Sequence, residues 1–204
     1  MRSIAKLMKD WQFTGPNGVT TAVELPHTWN ARDGQDGGND YWRGCCTYCT
    51  RFAAPVYDPA QQQVWLQFEG VNASAAVLLN GQQLCAHDGG YSTFRAEVTE
   101  LLQAENQLTV RVDNSVNDRV YPQKADFTFY GGIYRDVSLL VVNKNHIALG
   151  HFGDTGVKIT PALQENSADI RVETLVEGSG TVTVELLDAE GRTAAKGEGE
   201  NTFL

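Results

Sequence analysis

Two kinds of side chain in this sequence could do chemistry: carboxylates beside aromatic runs, and four cysteines. Asp126 closes a long polar loop, residues 113–126, and stands directly before Phe127-Thr128-Phe129-Tyr130. An ionised carboxylate can accept from two hydroxyl or amide donors at once, which makes it a directional hydrogen-bonding anchor. The same residue type also caps loops by accepting from backbone amides. Residues 33–40 form a second loop, rich in glycine and aspartate, that cannot build core and reads as surface or site. His27 and His87 lack the partner spacing that catalysis or a metal needs, so both read as hydrogen-bonded structural residues. Cys46-x-x-Cys49 has a redox or zinc-like spacing, but no second pair or histidine cluster accompanies it. Cys45, Cys46, Cys49 and Cys85 therefore read as plain reduced thiols, with Cys45 and Cys46 on opposite faces of a strand. No metal and no cofactor is expected. Phe127, Phe129, Tyr130 and Trp42 could stack on the C–H faces of a sugar, although sandwich cores take up aromatics first and core or interdomain contact is expected. Arg135 and Asp136 are expected to pair with each other at a strand start.

The elements that must position these residues are strands. Val64, Leu66 and Phe68 alternate with Trp65, Gln67 and Glu69, the period of a half-buried strand. Residues 75–79 run into Asn80-Gly81, whose two positive φ values suit a type I′ turn, and residues 82–87 return. Residues 64–94 thus read as a hairpin fed by a preceding strand, a meander within one antiparallel sheet. Trp11-Gln12-Phe13, Val23-Glu24-Leu25, residues 41–52, residues 107–112 and residues 133–142 read as further strands, with one helical turn over residues 98–102. Short strands joined by Gly- and Asn-rich connections indicate an all-β antiparallel sandwich. The pattern breaks at residues 143–156, placing one domain over 1–145 and another over 146–204. The second shows four strands, whereas an immunoglobulin-like sandwich needs about seven over ~100 residues. Its exposed edges invite pairing with another copy, so a homo-oligomer is expected. Leu204 reads as a cut boundary.

The chain has 204 residues and a formal net charge of −9, which argues against nucleic acid because no basic stripe offsets phosphate repulsion. No stretch approaches the ~20 apolar residues of a membrane span. The opening MRSIAKLMKDWQF is too charged for a signal peptide, and a cytoplasmic location is expected. Asn72-Ala73-Ser74 fits a glycosylation pattern that carries no meaning without secretion.

Several pieces, taken in order, resemble the N-terminal sugar-binding domain of glycoside hydrolase family 2, the β-galactosidase and β-glucuronidase family. They are Leu25-Pro26-His27-Thr28-Trp29-Asn30, Tyr41-Trp42-Arg43-Gly44, Phe68-Glu69-Gly70-Val71-Asn72, Leu79-Asn80-Gly81, His87-Asp88-Gly89-Gly90-Tyr91, Val112-Asp113-Asn114-Ser115 and residues 126–137, DFTFYGGIYRDV. Cys45-Cys46-Thr47-Tyr48-Cys49 departs from the aromatic-rich run usual there. The resemblance implies a galactose-binding-like jelly roll to about residue 142, then a truncated immunoglobulin-like sandwich. It implies that Asp126 reaches an active site to hold sugar hydroxyls. It also places catalysis on a (β/α)₈ barrel of ~250 residues, carrying two carboxylates ~5 Å apart for a retaining mechanism. This chain is then a non-catalytic fragment of a β-galactosidase-like enzyme, silent alone, whose partners are a β-glycoside substrate and the barrel. The alternatives are a β-glucuronidase fragment, a free-standing carbohydrate-binding module, or a structural sandwich that docks on a barrel and touches no sugar.

Overall fold

A computed structural model of the chain describes residues 2–32, 41–122, 125, 127–149 and 153–203. Contacts divide it into two units, Met1–Val142 and Asn143–Leu204. The first begins with β1 (Ser3–Lys6), β2 (Trp11–Thr14), β3 (Thr20–Val23) and β4 (Cys45–Ala53). It continues through β5 (Gln62–Phe68), β6 (Val71–Asn72), β7 (Ser74–Leu79), β8 (Gln82–Asp88) and β9 (Phe94–Glu97). A 3-10 turn (Thr99–Leu101) leads to β10 (Glu105–Asp113), β11 (Gly132–Ile133) and β12 (Val137–Asn143).

These strands form two principal antiparallel sheets, one ordered β1-β12-β5-β9 and one β3-β2-β4-β10-β7-β8, with a small β6-β11 pair. Both bury one face in a single core that contains Trp11, Tyr48, Leu66, Phe68, Val77 and Val110. The alternation in β4 shows why: Cys46, Tyr48, Thr50 and Phe52 are buried while Cys45, Arg51 and Ala53 are exposed. The Asn80-Gly81 turn adopts φ values of 52° and 83°, and β7 pairs with β8 around it. The chain is thus an antiparallel β-sandwich, as its patterning indicates.

The meander is corrected. β5 lies in the four-stranded sheet, β7 and β8 in the six-stranded one, and the chain crosses between them through β6. β10, rather than β5, flanks β7. Alternation fixes which face of a strand is buried, and two sheets sharing one core impose the same alternation, so it cannot say which sheet a strand joins. The strand expected at residues 23–25 sits earlier, at β3, and the run at 133–142 divides into β11 and β12.

The second unit contains β13 (His146–Ile147), β14 (Val157–Leu163), β15 (Ala168–Thr174), β16 (Val176–Glu177), β17 (Thr183–Leu187), β18 (Thr193–Glu198) and β19 (Asn201–Phe203). They pair as β13-β16, β14-β15-β19 and β17-β18. β13, β16 and β19 add to the four strands read from the sequence. Among strand residues of this unit with described side chains, only Val172 and Thr174 are buried, while Ile159, Leu163 and Leu187 are exposed. No helix among the described residues is long and apolar enough to cross a membrane.

Candidate functional site

The aromatic run after Asp126 belongs to a strap that leaves β10 at Asp113 and rejoins the sheets at β11. Its two ends are tied to one residue. Asn30, fully buried, accepts from the Gly131 amide at 2.7 Å and from Asn114 Nδ2 at 3.1 Å, and its own Nδ2 donates to Trp42 O at 2.9 Å. Thr28 Oγ1 donates to Gly131 O at 2.8 Å, and the Gly44 amide donates to Asn114 Oδ1 at 2.9 Å. A Cβ on Gly131 would stand 2.2 Å from Trp29 Cζ2, so only glycine lets the strap lie this close to the indole. The middle of the strap is tied as well. Arg119 Nε meets Asp88 Oδ2 at 2.9 Å, and Asp88 Oδ1 accepts from Ser74 at 2.5 Å. Asn117 Oδ1 accepts from the amides of Arg119 and Val120, closing a local turn.

Held this way, the strap sets Phe127, Thr128 and Tyr130 opposite Asn72, Tyr91 and Tyr134 around a cleft of about 160 Å³. Phe127 is 55% exposed, Tyr130 41% and Tyr91 51%. Of the aromatics expected in core or interdomain contact, Phe129 is buried, whereas Phe127, Tyr130 and Trp42 keep more than a third of their surface exposed. Trp42 packs edge-on against Trp29 at 6.0 Å, and Arg43 lies 4.6 Å from the Tyr41 ring. Asp126 itself, and residues 33–40, lie outside the described residues. Asn72, Tyr91 and Tyr134 had no assigned role from sequence, although each stands in or beside a quoted motif; the adjacent glycines before Tyr91 and before Ile133 are the signal that the backbone comes close there.

The expected Arg135–Asp136 pair is not formed. Consecutive residues entering a strand point to opposite faces, so Asp136 meets Lys6 at 2.6 Å and Arg135 donates to Tyr91 O at 3.3 Å. His27 and His87 are structural, as expected. His27 Nδ1 shares a hydrogen bond with Tyr48 Oη at 2.7 Å, and His87 stacks on Phe94 at 4.3 Å while its Nε2 contacts Ser92 Oγ at 3.1 Å. Burial holds both imidazoles below their ordinary pKa. The four cysteines are free, with Cys45 exposed and Cys46 buried on opposite faces of β4. Burial raises the Cys46 thiol to about 12, which keeps it protonated and a poor ligand or nucleophile.

The two carboxyl groups with clear shifts are both pushed down. For Asp88 the leading cause is the Ser74 hydroxyl, followed by Arg119; for Asp188 it is the Arg192 amide. A glycosidic general acid needs the opposite shift.

A family model described as glycosyl hydrolase 2 galactose-binding domain-like matches residues 38–162. A β-glucuronidase of Bacteroides fragilis is 33% identical over 208 aligned residues, covering 97% of this chain and 30% of that protein. A β-galactosidase of Thermoanaerobacter pseudethanolicus is 32% identical over 139, covering 64% of this chain and 18% of that protein. Among solved structures, the FMN-binding β-glucuronidase from Facaelibacterium prausnitzii L2-6 superposes with a TM-score of 0.91 at 35% identity, covering all of this chain and 33% of that one. The chain thus spans a third or less of the length of these relatives.

Proposed function

The chain belongs to glycoside hydrolase family 2, and from that premise we propose that it is the sugar-side, non-catalytic part of an enzyme that hydrolyses terminal β-glycosidic bonds. The observation that carries this is the strap: a loop anchored at both ends by Asn30 presents an aromatic wall that includes Phe127 and Tyr130. In this reading bond cleavage belongs to a carboxylate pair on a catalytic barrel, and residues here bind and orient. The Asp126 carboxylate accepts from sugar hydroxyls. The first substrate is a β-galactoside. A β-glucuronide is the second reading, favoured by the name of the relative that aligns over 97% of this chain. Free cysteines suit a reducing compartment such as the cytoplasm. Exposed Ile159, Leu163 and Leu187 support self-association through the second unit.

The test is Asp126→Ala in the full-length enzyme, assayed on nitrophenyl galactoside and glucuronide alongside a melting curve. Losing a hydrogen bond between charge and hydroxyl costs about 1.5–3 kcal/mol, very roughly tenfold to a hundredfold in kcat/KM. Unchanged kinetics with a lowered Tm would make Asp126 a loop cap and overturn the assignment. The 204-residue chain alone should turn over neither substrate. Turnover abolished by a substitution within it would contradict the non-catalytic reading.

A further inference from the structure

The rings lining the aromatic cleft are fixed through their neighbours, and Phe127, Tyr91 and Tyr130 stay exposed. Asn72 Nδ2 donates to Tyr130 O at 2.9 Å, and Arg135 donates to Tyr91 O while its guanidinium lies 5.5 Å from the centre of the Tyr134 ring. Phe127 leans on Phe129, their centroids 4.9 Å apart. Two polar groups of the wall are turned to the protein, the Asn72 amide serving Tyr130 and the Tyr134 hydroxyl donating to Gly90 O, and the rings of Tyr91, Phe127 and Tyr130 make up much of the rest of the lining. A pyranose carries a hydroxyl on most of its carbons, and each one removed from water without a partner costs about 1–3 kcal/mol. A flat aromatic ring asks only for face and edge contact, which tyrosine and phenylalanine supply. The size agrees, since an apolar cavity of about 150 Å³ takes one benzene and this cleft measures about 160 Å³.

We propose that this cleft binds a single planar aromatic ring, the aryl group on the leaving side of a β-glycoside, with Tyr91, Phe127 and Tyr130 as the contacting rings. The assignment to a leaving group rests on the function proposed above; ring binding stands without it and is read without catalysis. The 204-residue chain is offered 4-nitrophenol, methyl β-D-galactoside and methyl β-D-glucuronide in saturation-transfer NMR. Transfer should reach the aryl protons and neither methyl glycoside. Phe127→Ala and Tyr130→Ala should each weaken nitrophenol binding about threefold to tenfold, with Tm unchanged because both rings are exposed. Tyr130→Phe should bind as the natural chain does, since the ring and not the hydroxyl makes the contact. Equal transfer to a methyl glycoside, or undiminished nitrophenol binding in the double alanine variant, would overturn the proposal. Loss of hydrolysis in the full-length enzyme with aryl binding intact would instead count against the function proposed above.

Discussion

Asn30 is an asparagine at zero exposure, and its side-chain oxygen accepts from the amides of two buried residues, Gly131 and Asn114. Asn30→Ala leaves those two donors without that partner, at about 1–3 kcal/mol for each. Urea unfolding should therefore show a loss of about 2–6 kcal/mol. Gly131→Ala acts on the same point by overlap, since the new methyl lies 2.2 Å from Trp29 and 2.7 Å from Asn114 Nδ2. It should cost about 1–3 kcal/mol and shift the tryptophan emission. The two histidines predict a pH dependence. Their folded pKa values lie below the ordinary 6.5, so the unfolded chain takes up protons first as pH falls. Stability is full above 6.5 and declines below it; Tm measured from pH 7.5 down to 5 should fall, and a His27→Gln His87→Gln variant should flatten the slope. From sequence, His27 reads as a structural residue, and Thr28 and Asn30 carry no assigned role. The work of these last two is to fix backbone, which becomes visible only once residues a hundred positions apart are brought together.

Between strands β10 and β11 the described residues form no strand of their own, and side chains hold them in place. The Arg119–Asp88 pair is exposed on both partners, so its contribution to global stability is small. Its effect should be local. Arg119→Ala should leave the unfolding midpoint nearly unchanged while amide exchange at Arg119 and Val120 speeds up; equal exchange rates would mean that the Asn117 turn alone orders the strap. Strands were legible where one face is buried, as in β4 and β10, because burial writes a period of two into the sequence. β1 was not, since all four of its residues are exposed and it is held by backbone pairing with β12 and by Lys6 on Asp136. The six-residue cleft was not legible either: its lining comes from three separate segments, and nothing local in Tyr91 announces Tyr130.

At the scale of the whole molecule the two units differ in how much they bury. The first has a shared core between two sheets, while the second keeps Leu163 at 83% exposure and Ile159 at 63%. Limited proteolysis should therefore cut within 143–204 before it cuts within β2 to β12, and the larger fragment should persist. Early loss of the first unit with residues 150–204 intact would reverse that ranking.

The edge pairing of β1 with β12 also sets an order of events during synthesis. Lys6 is made before its partner Asp136, which lies 130 residues further along. At ~5–20 residues per second the N-terminal strand waits about 7–26 s before its partner strand exists. Until then the four-stranded sheet lacks its second strand, and β5, fully buried in the finished protein at Val64, Leu66 and Phe68, has only β9 beside it. On a translating ribosome this domain cannot close from its beginning forward: it closes from its end back, when β12 arrives between two strands already made.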